Sequence, residues 1–441
     1  MDRQAGSGGC DVQQSQGDTN GQLMGQFRFL TAGESHGRGL VAVAEGMVAG
    51  LSLEAGYINR DLKRRQQGYG RGPRMAIEQD EADIMSGVRL GLTTGGPIAL
   101  LIANRDWHSW QEAMSVGPAD EEADPVTRPR PGHADLAGVT KYGLGDIRSV
   151  MERASARETA ARVAVGAVAR RFLEELGIAI HSHTLAIGGV GWDPMLASGP
   201  GEEKRSGNAG HSTVRKGGAI DWQQVEASPV RCAHAQLEKA MMAAIDEAKA
   251  AGDTLGGIFE LVAVGVPVGL GSHVSWDRRL DGRIARAVMS INAVKGVEIG
   301  AGFVSAGVKG SQAHDAIEPA ATVTASEAKQ SLPWRHVTNR AGGIEGGISN
   351  GEDISVRAAV KPIATLARPL SSIDLRSGEK AEAHYERSDV CAVPAAGVIG
   401  EAMLAIVLAD AVLEKFGGDN LRETLANWGN YLGSISWSGS L

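Results

Sequence analysis

The stretch that organises the chain is Phe27-Arg28-Phe29-Leu30-Thr31-Ala32-Gly33-Glu34-Ser35-His36-Gly37-Arg38-Gly39-Leu40-Val41-Ala42-Val43-Ala44. The apolar run Phe27 to Leu30 reads as a strand arriving at a turn, and Leu40 to Ala44 as the strand that leaves it. Glycines bracket the turn. Lacking a Cβ, they let the backbone approach a ligand and aim short polar side chains outward. Glu34, Ser35 and His36 follow one another there, and imidazole is the side chain whose proton moves near neutral pH. The same residues also describe an ordinary hairpin turn, so other clusters must decide.

Outward from this corner, Ile58 to Gln67 reads as a helix, followed by the basic loop Tyr69-Gly70-Arg71-Gly72-Pro73-Arg74. Ile84 to Val88 and Pro97 to Ile102 read as strands. Asp120 to Pro131 is a charged loop that delivers Gly132-His133-Ala134-Asp135. The clearest helix runs from Glu152 to Leu176, where Ala160, Val163, Ala164, Ala167, Val168 and Phe172 share one face at helical spacing. Gly177 stops it. Gly191 to Gly218 reads as a polar surface excursion. Further helices are expected over Cys232–Ala251, Arg278–Val294 and Pro394–Phe416, the last with proline in its first turn. Strands are expected over Val262–Leu270, Val297–Val308 (as a pair) and Asp353–Val360, and Ala316–Arg340 reads as irregular.

Composition narrows the class. The chain has 441 residues, a net charge of −8 and 43% apolar residues, but only 4% aromatics, so the core is aliphatic. An acidic balance argues against general nucleic-acid binding. Arginine outnumbers lysine 32 to 12, and its fork suits carboxylate and phosphate. Cys10, Cys232 and Cys391 are far apart and odd in number, which fits a reducing, cytoplasmic setting with no disulfide and no metal site. Met1 to Gln26 lacks the basic start and apolar middle of a secretion signal and reads as a disordered extension. The length allows a large core in one elaborate domain or two smaller ones. The run Cys391–Val412 is interrupted by Pro394, Glu401 and Asp410, so it reads as a buried helix and not a membrane span.

Three clusters could carry chemistry. Arg60, Lys63, Arg64, Arg65, Arg71 and Arg74 face a single acid, Asp61. The interleaved glycines favour an anion site over a solvated helix face. His133 follows a Pro-Gly turn, where Asp135 could orient its ring. Arg153-Ala154-Ser155-Ala156-Arg157 opens a helix, so guanidiniums and free N–H groups would meet an anion there. Asp389, before the last helix, reads in isolation as its N-cap. No GxGxxG and no Gly-Lys pair occurs, which removes the dinucleotide and P-loop fingerprints.

Taken together, Gly33-Glu34-Ser35-His36-Gly37, Met151-Glu152-Arg153-Ala154-Ser155-Ala156-Arg157-Glu158 and Arg387-Ser388-Asp389 resemble, in order, the three signature regions of the chorismate synthase family. The Tyr69–Gly72 loop and Gly132–Asp135 resemble further motifs of it. Val390 stands where the family usually has proline. The resemblance implies a single catalytic domain over residues 27–441 with an α+β fold, a β-α-β sandwich of two antiparallel sheets with surrounding helices, assembled as a homotetramer. It implies a lyase that converts 5-enolpyruvylshikimate 3-phosphate to chorismate and phosphate with reduced FMN. Such a substrate carries roughly four negative charges near neutral pH. By resemblance, Arg65, Arg71, Arg74, Arg130, Arg157 and Arg387 bind it, His36 protonates the leaving phosphate, His133 lies by the flavin, and Asp389 and Ser35 sit by its N5. The implied flavin contacts are Ala154, Ser155, Ala156, Asn292, Ala293, Gly346, Lys361, Pro362, Ile363, Ala364, Thr365 and Arg387. Flavin reduction is expected from an external reductase in preference to bound NADPH. Two other readings stay open. One is a flavin-dependent oxidoreductase acting on a phosphorylated anion, and the other is a non-catalytic anion- or nucleic-acid-binding module built on the arginine patch.

Overall fold

Alternation in the corner strands builds the first sheet. In β2 (Gly39–Glu45), Leu40, Ala42 and Ala44 are buried while Val41, Val43 and Glu45 are exposed, the period expected of a sheet covered on one face. β1 (Arg28–Gly33) pairs with β2 antiparallel, Gly33 opposite Leu40. β3 (Ala82–Ile84) and β4 (Ile98–Ala103) complete the order β1-β2-β4-β3. The structure is a computed structural model that describes residues 26–72, 77–118, 124–191, 220–319 and 332–435. The N-terminal extension, apart from Gln26, and the excursion beyond Gly191 lie outside these residues.

The second sheet is also antiparallel, with β5 (Ala179–Ile187), β6 (Val190–Gly191), β7 (Gly257–Val264), β8 (Val294–Ile299) and β9 (Ile354–Val360) in the order β8-β9-β7-β5-β6. The longer described helices, in chain order, are α1 (Ala55–Gln66), α2 (Asp135–Tyr142), α3 (Arg148–Ala154), α4 (Thr159–Glu175), α5 (Ala235–Ala251), α6 (Leu280–Met289), α7 (Val393–Phe416) and α8 (Leu421–Ile435). The mixture is α+β. α4 packs on β1, β2 and β4, α7 packs on β5 and β7, and the two helices pack on each other. Gly166 of α4 makes that approach possible: a Cβ there would lie 2.5 Å from the Ala402 Cα.

α7 is apolar on all sides and buried along almost its whole length, the pattern of a core helix. It is the one described helix long and apolar enough to cross a membrane, and 94% of the relevant window is buried inside the protein. Its one charge near the middle, Glu401, is fully buried. Glu401 accepts from Arg64 (2.8 and 3.0 Å), Arg170 (2.6 Å), Arg231 (3.2 Å) and Ser182 (2.6 Å). Burial pushes its carboxyl up, but Arg64, Arg170 and Arg231 outweigh that and hold it far below the usual range.

Several elements differ from the sequence reading. The helix expected over Glu152–Leu176 starts earlier and breaks at Ser155, which is extended (φ −60°, ψ 142°) and accepts the Arg157 N–H. This side-chain bond competes with the helix, and a 3-10 turn at Ala156–Glu158 intervenes before α4. The strand expected over Ile84–Val88 stops at Ile84, ahead of Gly87 at φ +82°. The strand expected over Val262–Leu270 is shifted to Gly257–Val264, because Gly265 adopts φ +78°. Val297–Val308 is one strand ending at Ile299 and then a 3-10 turn, with left-handed Gly300 and Gly302 at the change. The helix expected over Arg278–Val294 is the shorter α6. Within Ala316–Arg340, Ile317–Pro319 pairs with Trp334–His336, and residues 320–331 lie outside the description.

Candidate active site

The turn between β1 and β2 is held from both sides. Asn104, just past β4, donates to the Glu34 and Gly37 carbonyls at 3.0 and 2.8 Å. The Ser35 N–H donates to the Glu152 carbonyl at 3.1 Å, and Ser35 Oγ lies 3.0 Å from Ser155 Oγ. His36 is buried. Its backbone N–H donates to Glu152 Oε2 at 2.6 Å, and its Nδ1 lies 2.8 Å from Oε1 of the same carboxylate. An ionised carboxylate only accepts, so Nδ1 carries a proton and Nε2 is left to act on a bound molecule. The ring stacks on Trp110 at 4.0 Å.

His133 repeats the arrangement on the turn before α2. Its Nδ1 lies 2.5 Å from Asp135 Oδ1, and Asp135 is fully buried. Arg130 donates to Asp135 from its backbone (2.9 Å), Nε (2.8 Å) and Nη2 (3.1 Å), and to Thr365 Oγ1 at 3.1 Å. Burial pushes the Asp135 carboxyl up, but the His133 and Arg130 donors prevail and hold it well below the carboxylate range.

Arginines from separate elements converge beside these rings. Arg65 of α1 donates to Thr159 Oγ1 (2.9 Å), Asp80 (3.2 Å) and the Ala156 carbonyl (2.9 Å). Arg157 binds the other Asp80 oxygen and donates to Asn104 Oδ1 at 3.0 Å. Burial, with Arg157 and Arg71 nearby, lowers Arg65 to about 10, so it is still charged at neutral pH. Arg71 pairs with Asp389 at 2.8 Å, and the Gly72 N–H donates to the same carboxylate at 2.6 Å. Asp389 thus clamps the basic loop onto the segment before α7. It is not the N-cap, since α7 starts at Val393 after Ala392 with no side-chain cap.

Ser35, His36, His133, Glu152, Asp389 and the four arginines Arg65, Arg71, Arg130 and Arg157 line one cavity of about 800 Å³, with Asp80, Asn104 and Asp135 holding them from behind. The upper part of the roughly 300–1,000 Å³ range of small-molecule sites leaves room for two ligands. Its described walls carry seven cations (Arg65, Arg71, Arg130, Arg148, Arg157, Lys361, Arg387) against four carboxylates (Asp106, Glu152, Glu386, Asp389), so the cavity suits a polyanion. Ala154, Ser155, Ala156, Asn292, Ala293 and the run Lys361, Pro362, Ile363, Ala364, Thr365 line it as well. Gly346 does not: it is in the turn of the Ile344–Ser349 hairpin. Arg74 lies outside the described residues.

The chain from residue 27 to residue 413 matches the family model described as chorismate synthase. It is 55% identical over 415 residues to a chorismate synthase of Moorella thermoacetica, covering 93% of this chain and all of that one. A chorismate synthase of Desulforudis audaxviator is 54% identical, with 93% and 98% covered. A crystal structure of a chorismate synthase superposes with a TM-score of 0.69 at 41% identity, covering 93% of this chain and 98% of that one. The chain belongs to the chorismate synthase family.

The wall formed by β8, β9 and their loops can hold a cofactor of the kind the chorismate synthase resemblance implies. Asn292 donates to the Ala154 carbonyl at 3.0 Å, while its Oδ1 is buried with no hydrogen-bond partner among the described residues, an acceptor available to a ring N–H. Ala293 takes φ +67°, strained for a residue with a Cβ, and its carbonyl accepts the Lys361 N–H at 2.9 Å. Lys361 Nζ donates to the Gly132 carbonyl at 2.5 Å and keeps two protons for an anionic tail. Burial, with Lys295 nearby, lowers its pKa. The sequence reading missed Asp80, Asn104, Trp110 and Arg148 as site residues, and left Glu152 without a role. Only Glu152 had a signal, its place inside the second signature segment.

Proposed function

We propose that the protein is a lyase converting 5-enolpyruvylshikimate 3-phosphate to chorismate and phosphate by anti-1,4-elimination, with reduced FMN bound in the same cavity. The observation that carries this reading is the pair of imidazoles, each tied through Nδ1 to a buried carboxylate, lining one guanidinium-rich cavity. His36 donates a proton from Nε2 to the departing phosphate. Glu152 keeps that nitrogen aimed inward. His133, oriented by Asp135, faces the flavin and balances its anionic ring. Arg65, Arg71, Arg130, Arg157 and Arg387, with Arg74, hold the carboxylates and phosphate through their N–H forks. Asp389 and Ser35 lie beside the site of C6 hydrogen removal. When bound, reduced FMN supplies transient electron density that helps expel phosphate, with no net redox change. Asn292, Ala293 and Lys361–Thr365 would hold it. We assign flavin reduction to an external reductase over bound NADPH.

The layering of sheet, paired helices α4 and α7, and second sheet supports the β-α-β sandwich of the family. We read the assembly as a homotetramer acting in the cytoplasm on a small molecule, with no nucleic acid or membrane partner. The test is an anaerobic assay with chemically reduced FMN. Phosphate release that requires reduced flavin without consuming it supports the reading. Stoichiometric oxidation of flavin or nicotinamide with substrate makes the protein an oxidoreductase instead, and no release at all rejects both.

A further inference from the structure

Four of the cavity's arginines are already paired: Arg65 and Arg157 with Asp80, Arg71 with Asp389, and Arg130 with Asp135. Arg148 is different. It has no ion pair among the described residues, and its Nε is buried with no hydrogen-bond partner. Its guanidinium carbon lies over the Trp110 ring, 5.5 Å from the centroid. The His36 ring stacks on that same indole, and Trp110 Nε1 donates to Asp106 Oδ2 at 3.3 Å. Arg148 and Glu152 are four residues apart on α3, so they share a helix face. That face presents a carboxylate to His36 and a guanidinium to the indole stacked on His36. All four side chains line the cavity.

We propose that Arg148 is a further phosphate-binding residue of this site, and that Trp110 is a positioning residue holding it and His36 in one stack. The argument rests on the function proposed above for the choice of phosphate, because His36 is the group assigned to the leaving phosphate. The physical reason is the uncompensated charge: the Arg148 guanidinium lines the cavity on the Trp110 ring with no ion pair among the described residues, and a phosphate beside His36 supplies the counter-charge and charge-assisted acceptors. The stack also fixes the planar fork before the ligand arrives, so less freedom is lost on binding. A lysine could supply the charge at this position but neither the fork nor the stacking.

The experiment uses the full chain and four variants: Arg148→Ala, Arg148→Lys, Trp110→Ala and Trp110→Phe. Inorganic phosphate and the substrate are each titrated calorimetrically into flavin-free protein, where no turnover occurs, and KM and kcat are then measured with reduced FMN. Arg148→Ala is expected to weaken both ligands about 10–100-fold, as loss of one charge-assisted contact does, raising KM more than it lowers kcat. Arg148→Lys recovers part of the affinity. Trp110→Ala raises KM and also lowers kcat, because both Arg148 and His36 lose their platform, whereas Trp110→Phe restores both values. A purely structural role would leave the KM-against-kcat split and the rescue by phenylalanine absent. Affinities for both ligands within about twofold of the parent in a folded Arg148→Ala protein would overturn the proposal, as would a parent protein that binds no phosphate. If the parent binds phosphate through Arg148 but never turns the substrate over, the anion site stands and the proposed function fails.

Discussion

Replacing Glu152 by glutamine tests the site at its most constrained point. The carboxylate is buried and its two oxygens accept two donors, the His36 backbone N–H at 2.6 Å and Nδ1 at 2.8 Å. Glutamine keeps the volume but offers one acceptor oxygen, and its amide nitrogen must then face a donor. Either one of the two bonds is lost or the imidazole changes tautomer and donates from Nε2 alone. Losing a hydrogen bond to a charged group costs about 1.5–3 kcal/mol, equivalent to roughly 10–150-fold at 1.4 kcal/mol per decade. The expected outcome is a fall of that size in kcat with little change in KM, because the arginines are untouched. Single-turnover phosphate release under anaerobic conditions, with chemically reduced FMN, measures it directly. A Glu152→Gln protein with kcat within about threefold of the parent, below the smallest loss expected, would refute the claim that this carboxylate sets the working state of His36.

The remaining expectations concern both site and core. His36→Ala and His133→Ala should each lower turnover by roughly 10²–10⁴-fold, the usual range for a general acid or base, as read from phosphate release. Arg71→Ala should weaken substrate more than flavin, and equilibrium titrations of the two ligands compare them. Glu401→Gln leaves Arg64, Arg170 and Arg231 around a neutral group and should cost about 3–5 kcal/mol of stability by urea unfolding. The carboxyls of Glu401 and Asp135 sit below their unfolded values, so their stabilisation is complete above about pH 5 and is lost as acidification carries pH toward the folded values. Urea midpoints should therefore fall on acidification below about pH 4–5, less steeply in Glu401→Gln. Gly166→Ala should cost about 1–3 kcal/mol by overpacking against Ala402.

Much of the site was legible because its residues cluster in short polar segments with glycine, and those segments converge on one cavity. The segments of His36, Ser35, His133, Arg65, Arg71 and Arg157 stood out this way, while Asp389, Arg130 and Arg387 came only from the resemblance, and all of them line the cavity. The orphan Arg148 and its partner Trp110 were not legible, since neither sits in a polar motif and their relation exists only after β4 and α3 approach. Gly346 shows the opposite failure, being legible by resemblance yet placed outside the cavity walls. In the fold, the apolar pattern located β2, β4 and α7 as runs and α4 by its helical spacing. It misplaced the strands ending at Gly87, Gly265 and Gly300, where a left-handed glycine cuts an apolar run that continues in the sequence. The break at Ser155 was invisible for a related reason: Ala, Val and Arg on both sides keep helical spacing, and one serine hydroxyl redirects the backbone.

The close seam of α4 and α7 at Gly166 joins two halves of the reaction chamber. The chain leading into α4 carries Ser155 and Arg157, and the first turns of α7 place Ala395, Ala396 and Ile399 along the cavity. Widening the seam by one methyl group would therefore spread the walls as well as loosen the interior. Efforts to toughen this protein by enlarging small residues along that contact would give up alignment between proton donor and ligand, and heat resistance gained there would come with slower turnover.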